Sequence, residues 1–223
     1  MPYCTRCGIK LPEDEEARFC PNCGAPIVLK PKRTIKKGKG PLYVVSRKNR
    51  FLSILAILFL CIIMTSIGAL SRVDGSEAQG IVKDFKEMER MLQTVGVQLI
   101  FGNNMMYCLL MFIPFIGPIT GFYVLYSTGK VLAALGYVLG ADPLLLLLAL
   151  LIYPHAWLEY ISYSLAISES IWLSFYALRH GLKGLRAEII NAAKYISICA
   201  VFLLAGAFIE MMLITSASIS LPT

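Results

Sequence analysis

From Phe51 to Leu70 the chain runs for 20 residues without a charge. A stretch of that length can cross the hydrocarbon core of a bilayer as one helix. Several more apolar runs follow. A membrane offers the backbone no water, so the only way to satisfy these runs is as helices. Composition agrees: 57% of the residues are hydrophobic and 16% charged, against about a quarter charged in a soluble domain. The charge is also uneven. Residues 1–50 hold 12 of the 21 Lys and Arg, which divides the chain into a polar head and a membrane body.

The head opens with two knuckles, Cys4-Thr5-Arg6-Cys7-Gly8 and Cys20-Pro21-Asn22-Cys23-Gly24, with 12 residues between Cys7 and Cys20. Each C-x-x-C turn aims two thiolates at one point, and the following glycine lets the chain fold back. Two such turns complete a closed Cys4 site for one structural Zn2+ per chain. About 25 residues cannot bury a core, so metal must supply the stability. Four thiolates leave no position for a reacting water, so the site is structural rather than catalytic. The other cysteines, Cys61, Cys108 and Cys199, sit singly in apolar runs as small hydrophobes. The charged, Cys-rich start has neither the basic nor the apolar region of a secretory signal. The head is therefore expected in the cytoplasm, where paired cysteines more often bind metal than form disulfides.

Residues 1–26 read as a zinc ribbon and residues 27–50 as a basic linker, followed by a helical transmembrane domain over 51–220. The loop between the knuckles carries Glu13, Asp14, Glu15 and Glu16, which weighs against nucleic acid and towards a protein contact. The linker combines Lys30, Lys32, Arg33, Lys36, Lys37 and Lys39 with Pro31, Gly38, Gly40 and Pro41, and it has no acid. Next to an apolar run this is a positive-inside signal that also attracts anionic lipid.

The body is expected to be all-α with five spans, N-terminus in and C-terminus out. The spans fall at 51–70, 99–126, somewhere in 127–153, 154–178 and 192–215. Arg179, Lys183 and Arg186 mark an inner loop. Pro114, Gly117, Pro118 and Gly121 should kink or interrupt the second run, and Gly117 with Gly121 admits a close neighbour. Residues 127–153 either span or re-enter, with Asp142-Pro143 reading as a helix N-cap and its first position. Ser162, Ala166, Ser170 and Ser174 form a small-residue stripe for tight packing. Between the first two spans, Ile81, Phe85, Met88, Leu92, Val95 and Leu99 recur at spacings of four and three, with Lys83, Asp84, Lys86, Glu87, Glu89 and Arg90 off the stripe. This predicts an outer amphipathic helix, with Ser76 and Gln79 as its capping box. Its apolar face could meet membrane lipid, a second copy in a homodimer, or another protein.

Polar groups inside hydrocarbon are costly and are usually paired or functional. Asn103, Asn104, His155, Glu159 and Glu210 fall in the outer half on this topology, with Glu169 elsewhere in the same set. His155 and Glu159 share a helix face. Three roles compete: hydrogen bonds that fix the fold, with His155 bonded to Glu159 or an asparagine; a path for an ion or lipid; and a metal-dependent catalytic site. No phosphate loop, dinucleotide fingerprint or nucleophile elbow is present.

The body resembles the stage II sporulation protein M family. The likeness rests on Phe101-Gly102-Asn103-Asn104, the glycine-punctuated run to Gly129, and Pro154-His155-Ala156-Trp157-Leu158-Glu159 before a small-residue helix. Thr128-Gly129 stands where the family has asparagine–glycine, and Ala156 replaces a glycine. The resemblance implies a polytopic helical membrane protein with the polar block Asn103, His155 and Glu159. The sporulation member scaffolds a cell-wall-degrading complex, which makes a non-enzymatic, partner-organising membrane protein the first expectation. The ribbon is an added module for cytoplasmic docking.

Overall fold

The computed structural model describes residues 3–4, 6–10, 19–26 and 46–220, the last without the side chains of 187 and 217–220. The acidic loop between the knuckles and most of the basic linker lie outside the described residues. The chain divides into two compact units, Met1–Leu42 and Tyr43–Thr223.

In the second unit, α1 covers Arg47–Ala69, α2 Gly75–Val95, α3 Val97–Met111, α4 Gly117–Leu139, α5 Pro143–Ile152 and α6 Pro154–Ser220. α6 is two arms joined at Gly181, whose φ of 60° and ψ of −152° no helix accommodates. Among the described residues, three stretches are long and apolar enough to cross a membrane: Arg47–Ala69, Gly117–Leu139 and Glu188–Ser216. The pair Pro143–Ile152 and Pro154–Arg186, bent by 93°, makes a fourth. Their outward faces are apolar: Phe59, Ile119, Tyr123, Val201 and Met212 are all more than half exposed. Serines, a threonine and two glutamates are buried inside. That inversion suits a hydrocarbon surround.

Contacts set the helix directions. Ser53 meets Ser168 and Trp172 near one end, and Thr65 meets Tyr160 further on, so α1 and the first arm of α6 are antiparallel. Gly117 lies against Ser170 and Gly121 against Ile167, which makes α4 parallel to α1. Cys199 donates to the Ser162 carbonyl at 3.4 Å, and Gly206 faces His155, so the second arm returns alongside the first. The α1–α4 contact is close because both helices present glycine. A Cβ on Gly129 would stand 2.0 Å from the Thr65 carbonyl oxygen, and one on Gly68 2.1 Å from that of Tyr126.

Three local expectations are corrected. The run 99–126 is not one span. α3 stops at Met111, and α4 starts afresh at Gly117. Pro114 cannot donate to the helix ladder, and Phe115 adopts a φ of 67°. The turn is then held from outside: the Phe115 amide donates to Ser174 Oγ at 2.8 Å, and Ser170 Oγ donates to the Ile113 carbonyl at 2.6 Å. The uncertain stretch after Ser127 is therefore the second half of α4, ending at Gly140 in the left-handed region. Asp142 caps α5 as expected, accepting from Leu144 N at 2.8 Å, but α5 has 10 residues and does not continue back to Gly136. The cap of α2 is also two residues earlier than Ser76. Asp74 accepts from the Glu77 amide at 2.8 Å and from Ser76 Oγ at 2.7 Å. A carboxylate accepts at a helix N-terminus more strongly than a hydroxyl.

Candidate functional site

The head is built by its turns. Gly8 N donates to the Cys4 carbonyl at 2.9 Å, and Gly24 N to that of Cys20 at 2.9 Å. Both glycines have positive φ, 74° and 67°, where a side chain would be strained. Tyr3 pairs with Lys10 and Phe19 with Pro26 in short antiparallel bridges that close each knuckle. The four sulfurs come to within 4.8 Å of one another. Cys4–Cys23 and Cys7–Cys20 are each separated by 3.6 Å. A tetrahedron with zinc–sulfur bonds of 2.3 Å has edges of about 3.8 Å, so the four residues fit such an ion. The amides of Cys7 and then Arg6 pull the Cys4 thiol down to about 6. At Cys23 the Ala25 amide also lowers, but burial and the Cys7, Cys4 and Cys20 sulfurs outweigh it and hold that thiol up. The Cys4 thiolate therefore forms readily, while that of Cys23 is disfavoured until a cation shares its charge. This is the one group able to hold a metal among the described residues.

The membrane body contains two polar clusters at opposite ends. At one end, Asn104 Nδ2 donates to Glu159 Oε1 at 2.6 Å, joining α3 to the first arm of α6. Glu210, on the second arm, is close enough for its charge to act on Glu159. His155 is buried, its ring stacked on Tyr153 at 5.7 Å, and its Nδ1 has no hydrogen-bond partner among the described residues. Of the sequence candidates, Asn104, Glu159 and Glu210 therefore converge. His155 does not bond Glu159 or an asparagine, and Asn103 is exposed on α3, away from the others.

The other cluster was not anticipated. Arg50 Nη1 donates to Glu169 Oε2 at 2.9 Å, and Nη2 donates to Glu188 Oε1. Asn191 Nδ2 donates to the same Glu188 oxygen at 3.2 Å. The guanidinium sits 5.9 Å from the Trp172 ring centre, and Trp172 Nε1 donates to Ser53 Oγ at 3.0 Å. Arg50 thus ties the start of α1 to both arms of α6. Read along the chain, Arg50 is one more base of the positive-inside cluster. The signal that could have found the site is Glu169 itself: a carboxylate mid-helix in an apolar run needs a cation, and Arg50 lies at the end of the adjacent span.

Two family models match the chain. One is stage II sporulation protein M, over residues 51–213, and the other a zinc-ribbon domain, over residues 3–27. The chain belongs to the stage II sporulation protein M family. No curated protein and no solved structure gives a significant match. The family match runs from the first turn of α1 to nearly the end of α6 and includes the members of both polar clusters except Arg50, one residue before its start, while the ribbon match covers all four cysteines. This is therefore a stage II sporulation protein M family membrane protein carrying an N-terminal zinc-ribbon domain.

Proposed function

We propose that this family member is a membrane scaffold whose zinc-loaded ribbon docks a protein partner on the cytoplasmic side. The observation that carries the reading is the surface of the ribbon: Tyr3 and Phe19 are each 63% exposed and Ile9 40%, on a head whose described residues bury little besides cysteines, with Ala25 packed against them. Exposed aromatics on a rigid module are suited to binding protein. Four thiolates around one zinc make the ion structural, so the head offers a surface and not a reaction.

In the body, the ordinary topology rule puts the ribbon inside. Arg47, Lys48 and Arg50 at the start of α1 lie at the same end as the Gly181 turn with Arg179, Lys183 and Arg186. On this reading α1, α4, the bent pair of α5 with the first arm of α6, and the second arm of α6 cross, the shorter apolar α3 returns the chain between α1 and α4, and the C-terminus lies out. Buried polar groups that join helices, Asn104–Glu159 and Arg50–Glu169–Glu188, support a body built to hold its shape.

Metal content is the first test. Purified protein should hold one zinc per chain by mass spectrometry, lost in Cys20→Ser/Cys23→Ser while the body stays folded. A photo-crosslinker at Phe19 should then give discrete adducts in cells that vanish in the cysteine variant. Zinc retained without the cysteines, or no adduct in either form, would sink the docking role.

A second reading, handling of an ion or lipid, is favoured by His155 Nδ1, which is buried without a partner. On that reading, His155→Phe abolishes flux in vesicles and leaves the Phe19 adducts unchanged. The scaffold reading expects no flux to lose.

A further inference from the structure

α2 has two unlike halves. Its first turns are clamped to α4: Ala78 and Val82 are buried against Ala134, Glu77 pairs with Lys130, and Gly75 sits on Tyr137. From Lys83 to Met91 every residue is exposed. The stripe nonetheless continues there: Phe85 is 36% exposed, Met88 42%, Met91 49% and Val95 46%. An amphipathic helix of this kind is stable only if something covers its apolar face.

We infer that residues 83–95 lie in the boundary between lipid head groups and acyl chains, an interfacial anchor covered by phospholipid. Geometry supplies the first argument. The start of α2 is fixed to the last turns of α4, around Lys130 to Tyr137. Its end is joined through the single residue Gly96 to Val97 of α3, which lies beside Phe208, Met212 and Thr215 near the end of α6. α4 and the second arm of α6 run in the same direction, so both fixed points are at one end of the spans. A helix of 21 residues, about 31 Å long, held at both ends at the level where spans end must run along the membrane surface.

Charge supplies the second argument, against a second copy as the cover. With Phe85 and Leu92 at position a and Ile81, Met88 and Val95 at d, Asp84 falls at g and Glu89 at e. A parallel pair would set Asp84 against Glu89 of the other copy. An antiparallel pair sets e against e and g against g, where these acids meet themselves or an uncharged residue. The bases Lys83, Lys86 and Arg90 all fall at outer positions. Neither pairing gains an attractive contact, whereas lipid requires none. Residues 83–95 balance three bases with three acids, so neutral phospholipid suffices and the anchor should not depend on salt.

The test uses full-length protein with Trp157→Phe and Trp172→Phe, reconstituted in phosphatidylcholine nanodiscs with or without bromine high on the acyl chains. Phe85→Trp, on the stripe, should lose most of its emission to the bromines. Glu87→Trp, on the opposite face, should keep its emission and be quenched by aqueous acrylamide. Equal acrylamide quenching at both positions would mean a helix projecting into water and overturn the inference. A Phe85→Trp shielded from both quenchers would mean a protein cover, and would also overturn it. Should Trp172→Phe impair folding, the emission that Phe85→Trp adds to the native protein is read instead.

Discussion

The two polar clusters of the bundle lie in similar surroundings and are satisfied in opposite ways. Around Arg50 one cation faces two carboxylates drawn from both arms of α6, with Asn191 and Trp172 beside them, and Glu169 Oε1 keeps no hydrogen-bond partner among the described residues. Around Glu159 no cation is present among the described residues: the carboxylate accepts from a neutral amide, a second carboxylate stands near, and the imidazole of His155 is unpaired. The first cluster is placed where α1 begins, so a base can be supplied by the edge of the membrane. The second is lined by α3 and the two arms of α6, which bring it an amide and a second carboxylate but no base among the described residues. Charge ties the helices together at one end, while at the other they hold by packing and one hydrogen bond from a neutral amide; each end keeps a buried polar atom, Glu169 Oε1 or His155 Nδ1, without a partner among the described residues.

The largest expected effect is at Arg50. Arg50→Ala leaves Glu169 and Glu188 buried without their cation and should cost about 3–5 kcal/mol, read as thermal unfolding in detergent. Adding Glu169→Gln and Glu188→Gln should restore much of the loss. If Glu159→Gln were as damaging as Arg50→Ala, the contrast between the two ends would fail.

Asn104→Ala should cost less, about 1–3 kcal/mol, because one neutral donor is withdrawn from a carboxylate that stays behind. His155→Phe should cost under about 1.5 kcal/mol, since it replaces an unsatisfied ring by an apolar one of similar volume. A large loss of stability there would mean that His155 has a structural partner and would remove the basis for a ligand-handling role.

The smallest effect belongs to Asp74. The Glu77 amide first, and then the Ser76 hydroxyl, hold its carboxyl below the usual carboxylate range. A depressed carboxyl contributes stability above its unfolded value, and that contribution is lost as pH falls through the folded value. The first turn of α2 should therefore keep its hydrogen-exchange protection at neutral pH and lose it in acid, and Asp74→Asn should remove most of that dependence.

Much of this was legible from residues near one another in the chain. The knuckles announce themselves, because Cys4 and Cys7, or Cys20 and Cys23, meet through a single turn. The charge-free run of α1 and the Asp142-Pro143 start of α5 are equally local. The stripe of α2 was visible too, but not which part of it α4 would cover. The division of 99–126 into two helices was only half visible. Pro114 and Gly117 marked a weakness, yet the reversal is held by Ser170 and Ser174, more than 50 residues away. Asn103 and Asn104 looked equivalent in the sequence, and only the rotation of α3 brings Asn104 and not Asn103 to Glu159.

By itself the sequence determined the four-cysteine ribbon, the apolar helices and the family, because each depends on a short-range pattern: a turn, a run or a periodicity. Tertiary structure decided the pairings. Arg50 reaches Glu169 and Glu188 across 119 and 138 residues of chain, and Gly68 meets Gly129 because two helices happen to run parallel. A buried charge states that it needs a partner; which partner it finds depends on how helices distant in the chain come side by side.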